Sequence, residues 1–477
     1  MKSFYLTTTL PYVNADPHIG FALEVVQADI IARYHALSGD EVFFNTGTDE
    51  HGLKIFRKAQ EEGKDPQAYT DEYAVRFRML KEKLDLSPDL HFIRTTDAHH
   101  KTAAQELWQR CLAKGDIYKK KYKGLYCVGD EAFIKETELV SGKCPNHPTM
   151  DSIEIEEENY FFKLSAYQEK LLAYLGQEGV IVPEWRHQEA ITFVKNGLED
   201  FSISRVKEKM PWGVAVPDDD SQVMYVWFDA LTNYISTLGW PEDADGLYKK
   251  FWEEGETLQL AGKDMVRFQS IMWQAMLMSA GLPTTKKIVY HGFITSHGQK
   301  MSKSLGNVID PMALVDEYGT DAVRYFLARH IHPFEDSDFT MERFKEAYNA
   351  DLANGLGNLA ARIMQLAQTH LEKPIKRPEE VGFPEGYTSA IEKFEYNRAL
   401  EYVWSEIQRL DRKIVETEPF KLIKSDPEKG KTLIAELVVE LYKTVRMLNP
   451  FMPATNKIVK ETILANKKPE NLFPRKE

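Results

Sequence analysis

Short apolar runs alternate with amphipathic stretches in the first part of the chain. Ser3–Thr8, Glu41–Asn45 and His91–Ile93 have the composition of strands, whereas residues 21–37 have the apolar spacing of a helix. Thr96 is placed to cap the helix that follows the third strand. Because strands that alternate with helices usually form a parallel sheet with helical crossovers, we expect an α/β nucleotide-binding domain here.

The pattern changes twice further along the chain. From Lys119 to about residue 200, segments rich in Lys, Gly and Glu also contain Cys, Pro and His, which indicates an inserted subdomain. Strand-like runs return at Met224–Phe228, Thr257–Leu260 and Lys287–Tyr290 and predict the second half of the same sheet. Beyond Phe344, apolar residues recur at helical spacing, which predicts a helical bundle.

These changes divide the chain into four predicted segments. The sheet domain occupies residues 1–117 and 206–345, the inserted subdomain occupies 118–205, and the helical bundle occupies 346–477. With 477 residues and 43% hydrophobic content, the chain is long enough for about three domains with their own cores.

Composition narrows the environment in which the protein works. No apolar run approaches the roughly 20 residues that a membrane helix needs, and the N-terminus has no secretory pattern. Three cysteines are too few for a disulfide framework. We therefore expect a cytoplasmic protein without a membrane partner. A net charge of −13 argues against a protein that coats nucleic acid non-specifically, but leaves room for a local basic contact.

Candidate chemistry begins at His18-Ile19-Gly20-Phe21, between the first strand and the first long helix. A helix that starts there is expected to aim free backbone N–H groups and the positive end of its dipole at a ligand. Gly20 would let a flat adenine or ribose approach the backbone, and His18 could hydrogen-bond to a phosphate oxygen. Taken alone, the string is more often a structural turn with a solvent-facing histidine.

A second string, Lys300-Met301-Ser302-Lys303-Ser304, follows a turn at Ser296–Gln299. Two lysines three residues apart on a mobile loop can place ammonium groups on a triphosphate, where charge develops as pyrophosphate leaves. Taken alone, this string also fits a solvated surface loop. Together with the first string and the divided sheet, it favours an ATP site.

These two strings are the signatures of class I aminoacyl-tRNA synthetases, and nearly the whole chain resembles the methionyl-tRNA synthetase family. The other matching stretches are Thr46–Gly52, Phe92–Thr96, Asn159–Phe162, Tyr225–Leu231, Gly262–Asp264 and Asp351–Asn354. The resemblance implies a Rossmann-like catalytic domain divided by a connective subdomain, followed by a helical bundle that reads the CAU anticodon. It also implies an enzyme that activates L-methionine with ATP and Mg²⁺ and transfers it to tRNA(Met).

The resemblance also assigns roles to numbered positions. The implied ATP-binding residues are His18, Gly20, Lys300, Met301, Ser302, Lys303 and Ser304, and His18, Gly20, Phe21, Lys300 and Lys303 occupy the catalytic positions. Asp49 is the implied partner of the methionine amino group. The implied walls of the side-chain pocket are Leu10, Tyr12, Trp227, Leu231, Tyr234, Phe268 and Gln269. A polarisable thioether suits such aromatic walls.

Two positions depart from the family pattern. Phe21 stands where the first signature normally has a second histidine and cannot donate a hydrogen bond to phosphate. Gln269 stands where the family usually has a histidine next to the pocket phenylalanine. The departures predict slower activation or altered selectivity. They also motivate an alternative, a catalytically weakened paralogue that acts as a tRNA-binding module.

The inserted subdomain contains a possible zinc knuckle. Cys127, Asp130, Cys144 and His147 form two pairs with the spacing of tetrahedral Zn²⁺ ligands, although relatives that bind zinc usually have Cys at the second position. A metal-free knuckle held together by packing is the alternative.

Two further expectations concern relatives and assembly. A synthetase for leucine, isoleucine or valine usually carries a large editing domain, and the interval from Phe21 to Lys300 leaves too little room for one. The sequence stops at Glu477 without the dimerising tRNA-binding domain that some members of the family have, so we expect a monomer.

Overall fold

Two units divide the chain in this computed structural model, which describes residues 2–127, 132–134, 136–145, 150–301, 306–380 and 382–476. Unit 1 comprises Met1–Pro17, Asp40–Met79 and Pro88–Tyr290. Unit 2 comprises His18–Gly39, Leu80–Ser87 and His291–Glu477.

The described residues form short strands early in the chain and mostly helices late in it. The strands are β1 Ser3–Thr8, β2 Glu41–Thr48, β3 His91–Arg94, β4 Ile117–Cys127, β5 Ala132–Ile134, β6 Ile153–Phe162, β7 Ile181–Val182, β8 Phe201–Ser202, β9 Ser204–Val206, β10 Ala215–Val216, β11 Asp219–Met224, β12 Glu256–Gly262, β13 Lys287–His291, β14 Ile294–Ser296, β15 Gln299–Lys300 and β16 Ser337–Phe339. The α-helices are α1 Ile19–Leu37, α2 Leu53–Glu61, α3 Pro66–Lys83, α4 Ala98–Ala113, α5 Gln168–Leu175, α6 Glu184–Lys195, α7 Val226–Leu231, α8 Asn233–Ser236, α9 Gln274–Ala280, α10 Pro311–Tyr318, α11 Thr320–Arg329, α12 Met341–Ala347, α13 Asn358–His370, α14 Glu385–Glu392, α15 Tyr396–Thr417, α16 Pro419–Ser425, α17 Pro427–Arg446 and α18 Pro453–Leu464. The π-helical segments are Tyr248–Glu253, Phe268–Trp273 and Tyr348–Gly357.

A six-stranded sheet in the order β3-β2-β1-β12-β13-β7 organises unit 1. Strand β1 pairs in parallel with β2 on one side and with β12 on the other. Both faces of a parallel sheet are covered, which explains why β1 is buried from Phe4 to Thr8 rather than on alternate residues. Strand β2 approaches β3 closely at Gly47, where an added Cβ would lie 1.9 Å from the Ile93 carbonyl oxygen. The predicted Rossmann-like parallel sheet is confirmed.

The inserted region of unit 1 forms an antiparallel sheet in the order β5-β4-β6-β8. Lys121 of β4 lies opposite Glu158 of β6, and Lys123 lies opposite Glu156. Opposite charges on facing strands stabilise such a pair. The lysine-rich strand β4 therefore pairs with an acidic strand, β6, of the same sheet.

Unit 2 contains α1, a small sheet in the order β15-β14-β16, and the helices that follow. Leu352, Leu356 and Leu359 belong to the apolar residues beyond Phe344 whose helical spacing predicted a bundle, and all three are buried. Arg324 of α11 is fully buried and donates hydrogen bonds to Asp29 Oδ2 at 2.7 Å and to the carbonyl of Phe451 at 2.9 Å. Among the described helices, none has the length and apolarity needed to cross a membrane.

Two local predictions are wrong. Met224–Phe228 was expected to be a strand, but β11 ends at Met224 and α7 begins at Val226. A short apolar run fits a buried helix as well as a strand, so its length did not distinguish them. Thr96 does not cap α4, because the N-cap is Asp97 and the Thr96 hydroxyl donates to Glu50 Oε2 at 2.5 Å.

Candidate active site

His18 forms the start of α1 in unit 2. It has an extended backbone and is the N-cap residue, and its Nδ1 accepts a hydrogen bond from the Gly20 amide at 3.1 Å. Desolvation lowers the pKa of His18, which favours the neutral ring near neutral pH. Because Nδ1 accepts, the proton of the neutral ring lies on Nε2. His18 therefore has one N–H group that can donate to an oxygen of a ligand.

The backbone amides at this helix start are already used. The Ile19 N–H donates to the Ile309 carbonyl at 3.0 Å, and the Phe21 N–H donates to the His18 carbonyl at 3.0 Å. The expectation of free backbone N–H groups is therefore wrong at these positions. The physical reason is that the neighbouring segment and the N-cap satisfy the donors that a helix start normally leaves open.

Gly20 is required by its surroundings. A Cβ added there would lie 2.9 Å from His18 Cε1 and 3.9 Å from Met301 Cε. Any side chain would therefore displace the imidazole that caps the helix. The same distances place the first signature string beside Met301 of the second string, within unit 2.

A tight hairpin precedes the second string. Strands β14 and β15 pair antiparallel, with Ser296 opposite Gln299, and the two residues between them have positive φ angles, 53° at His297 and 71° at Gly298. This geometry is that of a type I′ turn, which joins two strands tightly. The Gly298 amide donates to Asp338 Oδ1 at 2.7 Å. Lys300 ends β15, so the hairpin fixes the backbone where the string begins.

The remaining residues of the second string are Ser302, Lys303 and Ser304, and these lie outside the described residues. The chain is described again from Gly306, and Asp310 caps α10 by accepting from the Met312 amide at 2.8 Å. The string is therefore bounded by a paired strand on one side and by a capped helix on the other.

A buried pair that the sequence did not point to connects α1 with the approach to this hairpin. His291 Nε2 lies 2.9 Å from Glu24 Oε2, and His291 Nδ1 donates to the Gly292 carbonyl at 2.7 Å. Glu24 lies six residues beyond His18 on the same helix. Because the two residues are 267 positions apart, no local pattern could have paired them.

The expected amino-acid site lies in unit 1. Tyr12 forms a parallel bridge with Asp49, in which the Asp49 amide donates to the Pro11 carbonyl at 3.0 Å and the Val13 amide donates to the Asp49 carbonyl at 3.2 Å. Asp49 is buried, whereas Leu10 and Tyr12 are partly exposed. The loop after β1 and the end of β2 are therefore joined at the predicted ammonium-binding carboxylate.

Trp227 and Phe268 lie in the same unit and form what is here termed the aromatic wall. The rings of Trp227 and Phe268 stack with centroids 4.0 Å apart and planes inclined by 17°. Leu231 and Tyr234 are buried, and Gln269 Nε2 donates to Tyr234 Oη at 2.6 Å. The structure thus brings the side-chain positions on α7, α8 and the π-helical turn together.

Gln269 has one further feature. Its Oε1 is buried and has no hydrogen-bond partner among the described residues. Such unsatisfied polar atoms are rare and call for a functional explanation. Packing alone therefore does not account for the glutamine at this predicted pocket position.

Glu50, next to Asp49, is fully buried. Arg94 Nε donates to Glu50 Oε1 at 2.7 Å, and Arg94 Nη2 donates to Oε2 at 2.8 Å. The indole Nε1 of Trp212 donates to the Glu50 carbonyl at 2.6 Å. These bonds hold the backbone immediately beyond Asp49.

Asp229 forms a buried cluster with two histidines in unit 1. His51 Nδ1 lies 2.6 Å from Asp229 Oδ2, and His100 Nε2 lies 2.8 Å from Oδ1. Burial raises the pKa of Asp229, but the nearby His51 and His100 outweigh it and bring the pKa to about 2. Asp229 is therefore ionised at neutral pH, and both histidines donate to it.

Only part of the expected zinc knuckle is described. Cys127 and Cys144 are both buried, and Asp130 and His147 lie outside the described residues. In the ranges that the structure does describe, no group of three or more His, Cys, Asp or Glu side chains could hold a metal ion.

Comparisons with known proteins find relatives that match most of the chain. A family model described as tRNA synthetases class I (M) matches residues 4–156 and 148–364. The methionine–tRNA ligase of Caldanaerobacter subterraneus subsp. tengcongensis is 41% identical over 96% of this chain and 73% of its own length. The methionine–tRNA ligase of Brucella suis is 40% identical over 95% of this chain and 90% of its own length.

Solved structures agree with these sequence matches. The methionyl-tRNA synthetase of Mycobacterium tuberculosis in complex with methionyl-adenylate has a TM-score of 0.89 and 36% identity, covering 100% of this chain and 99% of that one. Its apo form has a TM-score of 0.83 over the same shares of the two chains. The fold and the two signature strings are those of a class I tRNA synthetase. The chain belongs to the methionine–tRNA ligase family within that class.

Proposed function

We propose that this protein is an ATP-dependent ligase that attaches L-methionine to tRNA(Met). In the first step, methionine and MgATP form methionyl-adenylate and pyrophosphate. In the second step, the methionyl group passes to the ribose at the 3′ end of the tRNA. The observation that carries this proposal is the full-length structural match to a synthetase solved with methionyl-adenylate.

Activation needs no nucleophile from the protein. The methionine carboxylate is ionised at neutral pH, and one of its oxygens attacks the α-phosphorus of ATP in line while the bond to the bridging oxygen of pyrophosphate breaks. The protein has to orient both substrates and stabilise the charge on the departing pyrophosphate. This division of labour explains why the motifs contain donors and cations rather than a catalytic base.

The residues at the start of α1 are assigned to ATP. His18 donates its Nε2–H to a phosphate oxygen, because its Nδ1 is occupied by the Gly20 amide. Gly20 has no side chain that would displace the capping imidazole, and we assign it to the place where the nucleotide approaches the backbone. Phe21 fills the position of the second signature histidine without adding a donor.

The second string supplies the cations for the triphosphate. Lys300 and Lys303 contact the triphosphate as pyrophosphate leaves, and Met301, Ser302 and Ser304 complete the ATP-binding loop. The paired hairpin at His297 and Gly298 supports this role, because it anchors the backbone at the beginning of the string.

Methionine is recognised in two parts. Asp49 pairs with the α-ammonium group, which every amino acid carries. The side chain lies among Leu10, Tyr12, Trp227, Leu231, Tyr234, Phe268 and Gln269. Sulfur–aromatic contacts of about 0.3–1.5 kcal/mol each favour a thioether in such a pocket. The stacked Trp227 and Phe268 rings support this assignment.

We further assign a structural Zn²⁺ to Cys127, Asp130, Cys144 and His147. The spacing of the two pairs and the burial of both cysteines fit a tetrahedral site. The metal would cross-link two segments of the inserted subdomain. Metal analysis of the purified protein should find close to one zinc per chain, and a metal-free knuckle held by packing would show none.

The working form is assigned as a monomer, and the site of action as the cytoplasm, where aminoacyl-tRNA is consumed. Sedimentation equilibrium at the 55.0 kDa mass of one chain tests the first of these assignments.

Charging of tRNA tests the proposed function. The protein is incubated with MgATP, labelled methionine and a tRNA that has a CAU anticodon, and the aminoacylated product is separated under acidic conditions. We expect label on the 3′ end of the tRNA and none when ATP is omitted. Binding of the tRNA without charging would instead identify a weakened paralogue.

A further inference from the structure

Asp229, His51 and His100 belong neither to the two signature strings nor to the residues assigned to the pocket walls. All three side chains are at most 2% exposed, and Ser236 completes the cluster with its hydroxyl 2.9 Å from His100 Nδ1. None of the three has a role in the chemistry of activation, because the substrate carboxylate needs no base. A different role is required to explain the cluster.

Burying an ionised carboxylate is costly, and well-packed apolar residues often give equal or greater stability at such a position. A carboxylate offers something that packing does not, which is two directional hydrogen bonds from one rigid group. Here Asp229 accepts those bonds from His51 at 2.6 Å and from His100 at 2.8 Å. The cluster is therefore suited to fixing the geometry of segments that meet at Asp229.

One of those segments carries the predicted ammonium partner. His51 lies two residues beyond Asp49, and the intervening Glu50 is held by Arg94 and by Trp212. The ring of Trp212 also lies edge-on to His51, with centroids 5.4 Å apart. The backbone from Asp49 to His51 is therefore fixed on the Glu50 side by an ion pair and at His51 by Asp229.

The other segment carries the aromatic wall. Asp229 lies on α7, two residues beyond Trp227, whose ring stacks on Phe268 at 4.0 Å. A single carboxylate thus connects the segment of Asp49 with the helix of Trp227. These are the residues assigned to the two ends of methionine, its amino group and its thioether.

We infer that Asp229 is a positioning residue for the amino-acid site, which sets the spacing between the ammonium-binding Asp49 and the aromatic wall at Trp227. His51 transmits this constraint to Asp49, and His100 holds Asp229 in place from α4. The inference rests on the proposed function, because it assigns the two segments to one amino-acid substrate.

The first test uses Asp229→Asn, which preserves shape but replaces one acceptor with a donor. Methionine-dependent pyrophosphate exchange should show a KM for methionine raised about tenfold or more, while the KM for MgATP stays within about twofold. Equilibrium binding of L-methioninol, which keeps the amino group and side chain but lacks the attacking carboxylate, should weaken by a similar factor. If Asp229 had a purely structural role, Asp229→Asn would lower thermal stability without raising the KM for methionine selectively over the KM for MgATP.

A second pair of variants decides the question if Asp229→Asn does not fold. His51→Asn keeps an N–H group close to the position of Nδ1, whereas His51→Ala removes it. We expect His51→Ala to raise the methionine KM about tenfold. His51→Asn should have a methionine KM much closer to that of the wild type. Asp219→Asn is the matched control, since Asp219 is another carboxylate of unit 1 with a pKa lowered to about 2, bound instead to Lys119 and Tyr160.

Methionine KM values and methioninol affinities within about twofold of wild type in folded Asp229→Asn and His51→Ala would overturn the inference. So would equal losses in His51→Asn and His51→Ala. Failure of the proposed function is distinguished by the wild-type protein, which would then show no methionine-dependent exchange at all.

Discussion

The amino-acid region of unit 1 and the nucleotide-signature region of unit 2 are built in different ways. In the amino-acid region, Tyr234 and Gln269 are buried and joined by a side-chain hydrogen bond. In the nucleotide-signature region, the side chain of His18 reaches solvent although the surrounding protein partly desolvates its ring, Gly20 is partly exposed, and backbone hydrogen bonds hold the start of α1 in place.

The difference fits what each region is proposed to recognise. A thioether has no charge and few polar features, so it is selected by the shape of a rigid wall, and rigidity requires buried networks behind the wall. A triphosphate carries several charges, so donors and cations at an accessible surface suffice. Disturbing the first region should change binding of methionine, and disturbing the second should change the rate of activation.

The largest effect is expected at Asp49. Replacing Asp49 with Ala removes the proposed counter-charge of the ammonium group, which costs about 4 kcal/mol when a buried charge loses its partner, or about a thousandfold in kcat/KM for methionine. Pyrophosphate exchange at varied methionine concentrations measures the loss. Asp49→Asn, which keeps the volume, should be almost as impaired. A wild-type KM in Asp49→Ala would remove this residue from the amino-acid site.

The next effect is expected at Lys303, which lies outside the described residues. Lys303→Ala should lower kcat for pyrophosphate exchange about a hundredfold, since it removes the cation proposed to stabilise the departing pyrophosphate, and should leave methioninol binding unchanged. Lys424→Ala, at an exposed lysine of α16, is the control. Unchanged exchange in Lys303→Ala would contradict the role of the second string.

Phe21→His should act in the opposite direction. It adds an N–H donor in the first turn of α1, and one hydrogen bond to a charged group is worth about 1.5 kcal/mol, so kcat should rise about tenfold. The methionine KM should not change, because the substitution belongs to the nucleotide-signature region. Phe21→Leu serves as the control, and equal rates in the two variants would show that residue 21 does not contact ATP.

The smallest effect is expected at Gln269. Gln269→Leu removes the donor to Tyr234 Oη and should lower the preference for methionine over norleucine about fivefold, which corresponds to about 1 kcal/mol. Gln269→His should preserve the preference, since an imidazole can replace the donor. Competition between the two amino acids in the exchange assay measures the ratio. An unchanged ratio in Gln269→Leu would mean that the wall acts by shape alone.

Local patterns predicted much of the fold. Strand β1 was expected over Ser3–Thr8, and the structure has the same bounds, because a run of β-rich residues followed by turn residues is unambiguous. The segment Met224–Phe228 was misjudged, since a short buried apolar run has no periodicity that separates strand from helix.

The His18–Gly20 site and the Asp229 cluster also differ in how far the sequence predicted them. The positions of His18 and Gly20 followed from their place between a strand and a helix, and the structure adds the Nδ1 acceptor that defines the ring's free donor. The cluster around Asp229 could not be predicted, because its histidines are 178 and 129 residues away in sequence. Contacts of this kind depend on how the sheet brings distant segments together.

The most direct test of the account is pyrophosphate exchange by the wild-type protein with each of the twenty amino acids in turn. The account predicts no exchange without an amino acid and the fastest exchange with methionine, since ATP activation and the amino-acid pocket serve one reaction. Faster exchange with another amino acid, exchange that needs none, or no exchange with methionine would contradict it.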